Sequence, residues 1–270
     1  MIDWRLNGRA IIGRAYPRVL GVVREPSWIL FDIFLPMLGI AAYIFYYRAM
    51  NAPEMYAGFI VIGGAMTAYW MNVLWSMAAQ FYWEKEVGNL QLYMLAPMSR
   101  MSVLAGMALG GMLMTTVRAV STVLLGVFLF NVHLTLTQPL ELTLVFSFTL
   151  IALYGMGMMF SSLFLMWGRS AMQMTSLLQE PIYLVSGFYF PVKALGYWVA
   201  LGASILPITL GLDGMRQLLF GASSNGFLPV DLEIIILAVL AVVFFVLARH
   251  FLEFMETMGK REGRLTLRWQ

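Results

Sequence analysis

The stretch Met55 to Phe81, MYAGFIVIGGAMTAYWMNVLWSMAAQF, runs for 27 residues without a charged side chain. Crossing the hydrocarbon core of a bilayer takes about 20 mainly apolar residues, so this run is long enough to span. Working outward from it, similar runs lie at Trp28–Tyr47, Met101–Leu129, Leu142–Trp167, Ala171–Phe190 and Val230–Ala248. Three of them hold one internal charge each: Asp32, Arg118 and Glu180. Composition agrees, because 61% of the 270 residues are apolar and 11% are charged, against about 25% charged in an average soluble domain. So few charges cannot cover a water-soluble surface, and a bilayer solvates the excess apolar area. The fold class expected is an all-α membrane protein with six transmembrane helices. The length leaves room for six or seven spans and short connections, with no attached soluble domain.

A further uncharged run, Ala194–Leu212, passes a hydropathy test by length, but Gly196, Gly202, Pro207 and Gly211 interrupt it. Such punctuation suits two short helices better than one continuous span. Topology supplies the parity. The N-terminal segment carries Arg5, Arg9, Arg14, Arg18 and Arg24, and the C-terminal tail carries Arg249, Lys260, Arg261, Arg264 and Arg268. The positive-inside rule then puts both termini in the cytoplasm and demands an even number of crossings. With six spans Lys85, Arg100 and Arg169 fall inside, and Arg48, Lys193 and Arg216 fall outside. The organisation expected is a single membrane domain over 1–270: an interfacial helix at 1–27, spans one to five within 28–190, a re-entrant outer element at 191–220, span six at 230–249 and a cytoplasmic tail at 250–270. In the N-terminal segment Ile11, Ile12, Ala15, Val19, Val22 and Val23 project to one side of a helix, with Arg14, Arg18 and Arg24 on the other. That pattern reads as a helix lying on the inner leaflet, with an ordinary basic juxtamembrane segment as the alternative. No cleaved signal peptide is expected, since the first long apolar run begins near Trp28.

The chemistry that the sequence excludes is informative. There is no cysteine, and the two histidines, His133 and His250, are far apart, so neither a disulfide framework nor a histidine metal cluster is expected. No G-x-x-x-x-G-K-[ST], H-E-x-x-H or G-x-S-x-G motif occurs, so neither nucleotide hydrolysis nor a common hydrolase mechanism has its machinery in this chain. No 20–50 residue repeat is apparent, which argues against an inverted-repeat carrier.

The longest inner loop, Tyr82 to Arg100, reads YWEKEVGNLQLYMLAPMSR. Its apolar stretch Leu90–Ala96 is too short to cross, and it reads either as a short helix docking on a cytoplasmic partner or as one resting on the membrane surface. This loop resembles the E-x-G-T-L-E segment and following proline of ABC-2 type permeases, with Glu86, Gly88, Leu90 and Pro97 matching and Asn89 and Gln91 departing from it. Ser186-Gly187-Phe188-Tyr189-Phe190-Pro191, then Leu206-Pro207 and Asp213-Gly214-Met215-Arg216, is similar to that family's S-G-x-x-F-P, N-P and D-x-x-R pattern after the fifth span, with Leu206 replacing asparagine. Arg24-Glu25-Pro26 before the first span also fits. The resemblance implies a dimer of six-span subunits in the plasma (inner) membrane, working with two cytoplasmic ATPase subunits that bind Mg-ATP. It also implies a coupling role for Glu84, Glu86, Gly88, Leu90, Gln91 and Pro97, and a re-entrant outer element containing Gly187, Pro191, Pro207 and Arg216. No cofactor in this chain and no nucleic-acid partner is expected; the lipid bilayer is the other partner.

Arg118 stands about 15 residues into the third span, where an isolated charge costs on the order of 3 kcal/mol or more. It is expected to face protein or water. Glu180 is one acidic candidate partner, offset by about 9 Å in depth at 1.5 Å per residue, which a long arginine closes only in part. Asp32, near the inner end of span one, is expected to meet water or Arg24. Gly106 and Gly110 form a G-x-x-x-G that lets a neighbouring helix approach closely. The functions in competition are an export permease for an amphipathic drug, lipid or glycolipid, an ATP-independent carrier or channel, and a membrane enzyme.

Overall fold

The computed structural model describes residues 4–24, 26–167, 169–221 and 226–261, and among them every regular element is helical. In chain order these are α1 (Trp4–Arg24), α2 (Pro26–Ala49), α3 (Met55–Met71), a π-helical segment (Asn72–Ala78), α4 (Gln80–Val87), α5 (Asn89–Leu95), α6 (Arg100–Phe130), α7 (Pro139–Trp167), α8 (Arg169–Val185), a 3-10 turn (Val192–Leu195), α9 (Tyr197–Ala203), α10 (Pro207–Phe220) and α11 (Val230–Arg261). Five helical stretches are long and apolar enough to cross a membrane: Leu30–Ala49, Met55–Val87, Arg100–Phe130, Pro139–Leu163 and Val230–Gly259. They coincide with five of the six runs read from the sequence. Span six continues as helix to Arg261, well into the segment expected to be tail.

The remaining expected span, Ala171–Phe190, is the shorter and more amphipathic α8, which ends at Val185 and gives way to a turn. Packing shows where it runs. Ser162 Oγ donates to the Ala248 carbonyl, and Gly155 faces Ala241 and Phe244, so residue numbers climb together and α7 and α11 are parallel. A chain joining two parallel helices must return between them. α8 begins at the C-terminal end of α7 and delivers the turn at Gly187–Phe190 against Phe59 and Gly63, near the N-terminal end of α3. It makes this return with 17 residues, about 25 Å at 1.5 Å per residue, somewhat less than the thickness of a hydrocarbon core. Its exposed positions, Gln173, Ser176, Leu177, Glu180, Pro181 and Leu184, form one helical stripe.

α9 and α10 are bent by 113° at a short break and do not make a straight span. The pair leaves from and returns to the same side of the bundle. At its start the Lys193 ammonium reaches the Gly226 carbonyl and Tyr197 packs on Phe227, just before α11; at its end Thr135 donates to the Leu219 carbonyl ahead of α7. Between these ends α10 runs antiparallel to α7, with Gly211 against Thr149 and Gly214 against Val145. The irregular backbone at depth is satisfied from within. Arg216, fully buried, donates from Nη1 to the carbonyls of Gly187 (2.7 Å) and Phe190 (3.0 Å) and from Nη2 to those of Phe188 (2.6 Å) and Phe59 (3.1 Å). Buried as it is, Arg216 caps carbonyls that lipid would leave unpaired. Gly63 permits the approach, since a Cβ there would lie 1.6 Å from the Phe188 oxygen.

The N-terminal segment is helical as expected, and Ile11 and Ala15 of its apolar side face the protein, but the division between its two sides is not the expected one. α1 lies along the first turns of α6, where a Cβ on Gly106 would stand 2.6 Å from the Ile11 carbonyl oxygen and one on Gly110 would stand 3.0 Å from that of Ala15. Gly106 and Gly110 therefore seat α1, a contact within the subunit. Arg14 and Arg18 turn toward the protein, while Ile12 and Tyr16 are exposed. The amphipathic reading assumed that arginines seek water; here buried acceptors draw them in.

Candidate functional site

Two sites adjoin the π-helical segment. Below it the chain breaks at Gly88, whose φ of +89° is left-handed backbone that glycine adopts without strain. The break turns α4 into the short α5, the helix expected from Leu90–Ala96. Glu84 is buried at this corner and is a hub: it pairs with Arg14 of α1, and accepts from Gln80 Nε2 (2.8 Å), Asn89 Nδ2 (3.0 Å) and the Tyr93 hydroxyl (3.4 Å). Asn89, a departure from the family pattern, thus donates to the hub. Burial also pushes the Tyr93 phenol above its ordinary pKa, so it stays a donor to the carboxylate. One turn further along α1, Arg18 reaches the carbonyls of Ser76 and Met107, at 3.4 and 3.5 Å. Desolvation by burial pulls its pKa below the ordinary value.

The residues offered by the resemblance are brought together here but differ in access. Glu84 and Leu90 face inward, Glu86 and Gly88 are half-buried, and Pro97 is exposed. The backbone of Gln91 is in α5, and its side chain lies outside the described residues. Trp83, Val87, Leu92 and Leu95 present an apolar surface outward.

Beside the segment, α2, α3, α6 and α8 line an open cavity of about 620 Å³. Its polar groups are Asp32, Arg118, Thr67, Asn72 and Ser76, and its aromatic walls are Phe31, Trp75, Tyr183 and Tyr189. Trp75 Nε1 donates to Gln179 Oε1 at 2.8 Å, which ties the π-helical segment to α8, and the Tyr154 hydroxyl donates to Asn72 Oδ1 at 2.9 Å. A π-helix arranges successive side chains at an unusual angular step and often occurs at functional positions. This one turns Asn72, Trp75 and Ser76 to the cavity.

Arg118 pairs with Asp32, Nη1 to Oδ2 at 2.7 Å, and its Nη2 donates to Thr115 at 3.3 Å. Glu180 is not its partner; it accepts from Gln179 at 3.2 Å on the exposed face of α8. The offset in depth already weighs against Glu180, and the count along single helices carries no information about which helices are neighbours, so it does not single out Asp32. The cavity residues Asn72, Trp75 and Tyr183 were missed, Tyr189 was read only as part of the pattern after the fifth span, and the polar positions Asn72 and Ser76 inside an apolar run were the available signal.

These features define a polytopic helical membrane protein with an open, mainly apolar cavity that holds an ion pair among its spans, and a helical elbow. The model of the ABC-2 type transporter family matches residues 18–220, and the chain belongs to that family. It is a permease-type transport subunit. None of the curated proteins matches the chain.

Proposed function

We propose that this chain is the transmembrane permease subunit of an ATP-binding-cassette exporter, moving an amphipathic substrate outward with Mg-ATP hydrolysed by separate cytoplasmic ATPase subunits. The observation that carries this reading is the elbow at Gly88. It joins an apolar outward surface, where Leu95 is 84% exposed, to a buried carboxylate that grips α1. A partner bearing on Leu92 and Leu95 would move α5. The Glu84–Arg14 pair hands that movement to α1, and the close seating of α1 on Gly106 and Gly110 hands it to α6, which contributes Arg118 to the cavity. The absence of any phosphate loop from the sequence is why the energy is assigned to a partner.

A second permease subunit, most simply another copy, belongs to the same reading. Gln173 and Glu180 on the exposed stripe of α8 are costly against lipid, and a symmetric partner or a watery path between two copies would receive them. Both termini are assigned to the cytoplasm and the complex to the plasma (inner) membrane.

The test uses the complex purified with its ATPase. Leu95→Asp and Glu86→Ala should leave membrane insertion intact and lower substrate-stimulated ATP hydrolysis and transport several-fold. Full activity and full assembly in both variants would remove the elbow from the coupling role.

A further inference from the structure

Asp32 and Arg118 are paired, yet each remains in part open to the cavity, with 41% and 25% of its side-chain surface exposed. Asp32 engages one carboxylate oxygen, and Arg118 is its hydrogen-bond partner among the described residues. An ionised carboxylate has about four acceptor sites and a guanidinium five donors, so both groups retain unused hydrogen-bonding capacity. The residues that line the cavity thus offer a cation and an anion side by side, with no further charged group among them.

That arrangement discriminates between ligands. A ligand with a single charge either brings a net charge to the paired site or parts the pair and leaves one member uncompensated inside the membrane, and both are unfavourable. A ligand carrying both signs exchanges one ion pair for two and strands neither. Guanidinium groups bind phosphate through two parallel N–H donors, and an ammonium is held by a carboxylate together with aromatic faces. Phe31, Trp75 and Tyr183 supply aromatic side chains to the same cavity.

Depth fixes the order of charges. Counted from the outer helix ends at Ala49 and Phe130, at about 1.5 Å per residue, Asp32 lies about 25 Å down and the Arg118 backbone about 18 Å down. With the termini inside, the carboxylate is nearer the cytoplasm and the arginine reaches toward it from the membrane centre. A lipid of the inner leaflet presents its charges in the matching order, phosphate next to the chains and ammonium beyond it. We infer that the cavity at Asp32 and Arg118 binds the head group of a zwitterionic phosphate amphiphile, phosphate on Arg118 and ammonium on Asp32. This deepens the transport reading by naming the substrate class, and it rests on that reading for the orientation.

The test exploits charge order. In dodecylphosphocholine the anion is next to the chain; in the dodecyl sulfobetaine the cation is. The full-length protein, held in amphipol, is titrated by calorimetry below the micellar concentration with these two probes, with dodecyltrimethylammonium and with dodecyl phosphate. Dodecylphosphocholine should bind about tenfold more tightly than each of the other three. The swapped double variant Asp32→Arg/Arg118→Asp keeps the pair and should reverse the preference between the two zwitterions. If that variant does not fold, Asp32→Asn should abolish the preference over dodecyl phosphate. Equal binding of the two zwitterions by the native protein, or tighter binding of the sulfobetaine or a singly charged probe, overturns the proposal. The readout involves no ATP, so a failed coupling experiment on α5 would leave this result standing.

Discussion

Truncating the intramembrane ion pair tests how the bundle tolerates its charges. Two unit charges about 4 Å apart attract by about 4 kcal/mol at an effective dielectric constant of 20. Asp32 is 41% exposed and Arg118 25% exposed, so solvent in the cavity screens the pair and pulls its net value toward the 0–1 kcal/mol of surface bridges. The expected coupling lies between, at about 1–2 kcal/mol. Arg118→Ala should cost about 2–3 kcal/mol, because the stem of the side chain is lost with the charge, and Asp32→Ala about 2 kcal/mol. The double variant should then cost clearly less than the sum of the singles. Reversible unfolding in mixed micelles, followed by far-ultraviolet circular dichroism, gives the four free energies of the cycle. A parallel cycle between Arg118 and Glu180 should show coupling below about 0.5 kcal/mol, since Glu180 lies against Gln179 on another face. Additive losses at Asp32 and Arg118, or strong coupling to Glu180, would refute the pairing.

Gly63→Ala places a methyl group on the Phe188 carbonyl and should destabilise the protein by about 3 kcal/mol or more, read as a lower unfolding midpoint. Gly106→Val should loosen α1 from α6 at a cost of about 1–3 kcal/mol, and a cysteine at Ala15, which is buried in the native packing, should gain reactivity toward a water-soluble maleimide. The cysteine-free sequence suits topology mapping: Arg5→Cys and Arg264→Cys should both label from the cytoplasmic side only, and labelling from opposite sides would break the even span count.

The spans were legible because lipid imposes a length and a composition on each of them, and five apolar runs became five long helices with small shifts at the ends. The break in the run Ala194–Leu212 was legible for a related reason: Pro207 lacks the N–H that a continuous helix would use, and the chain bends by 113° just before it. Partners were harder to read. The G-x-x-x-G of α6 announced a close neighbour, but nothing local to it specified α1. Arg14 and Arg18 look like a solvent face in projection, and only the tertiary structure brings Glu84 and the Ser76 carbonyl within their reach. Arg118 finds an acid 86 positions away, a separation at which periodicity carries no information.

The four acceptors that Arg216 engages are all main-chain oxygens, contributed by Phe59, Gly187, Phe188 and Phe190. A main-chain oxygen is the same group whatever residue carries it. Mutational tolerance in this region is therefore lopsided: an aromatic at 188 or 190 can be exchanged for another side chain of similar size while its carbonyl stays in place. Position 216 has no such freedom, because a lysine there carries three donors on a single nitrogen and cannot reproduce the planar fork that spans the four oxygens.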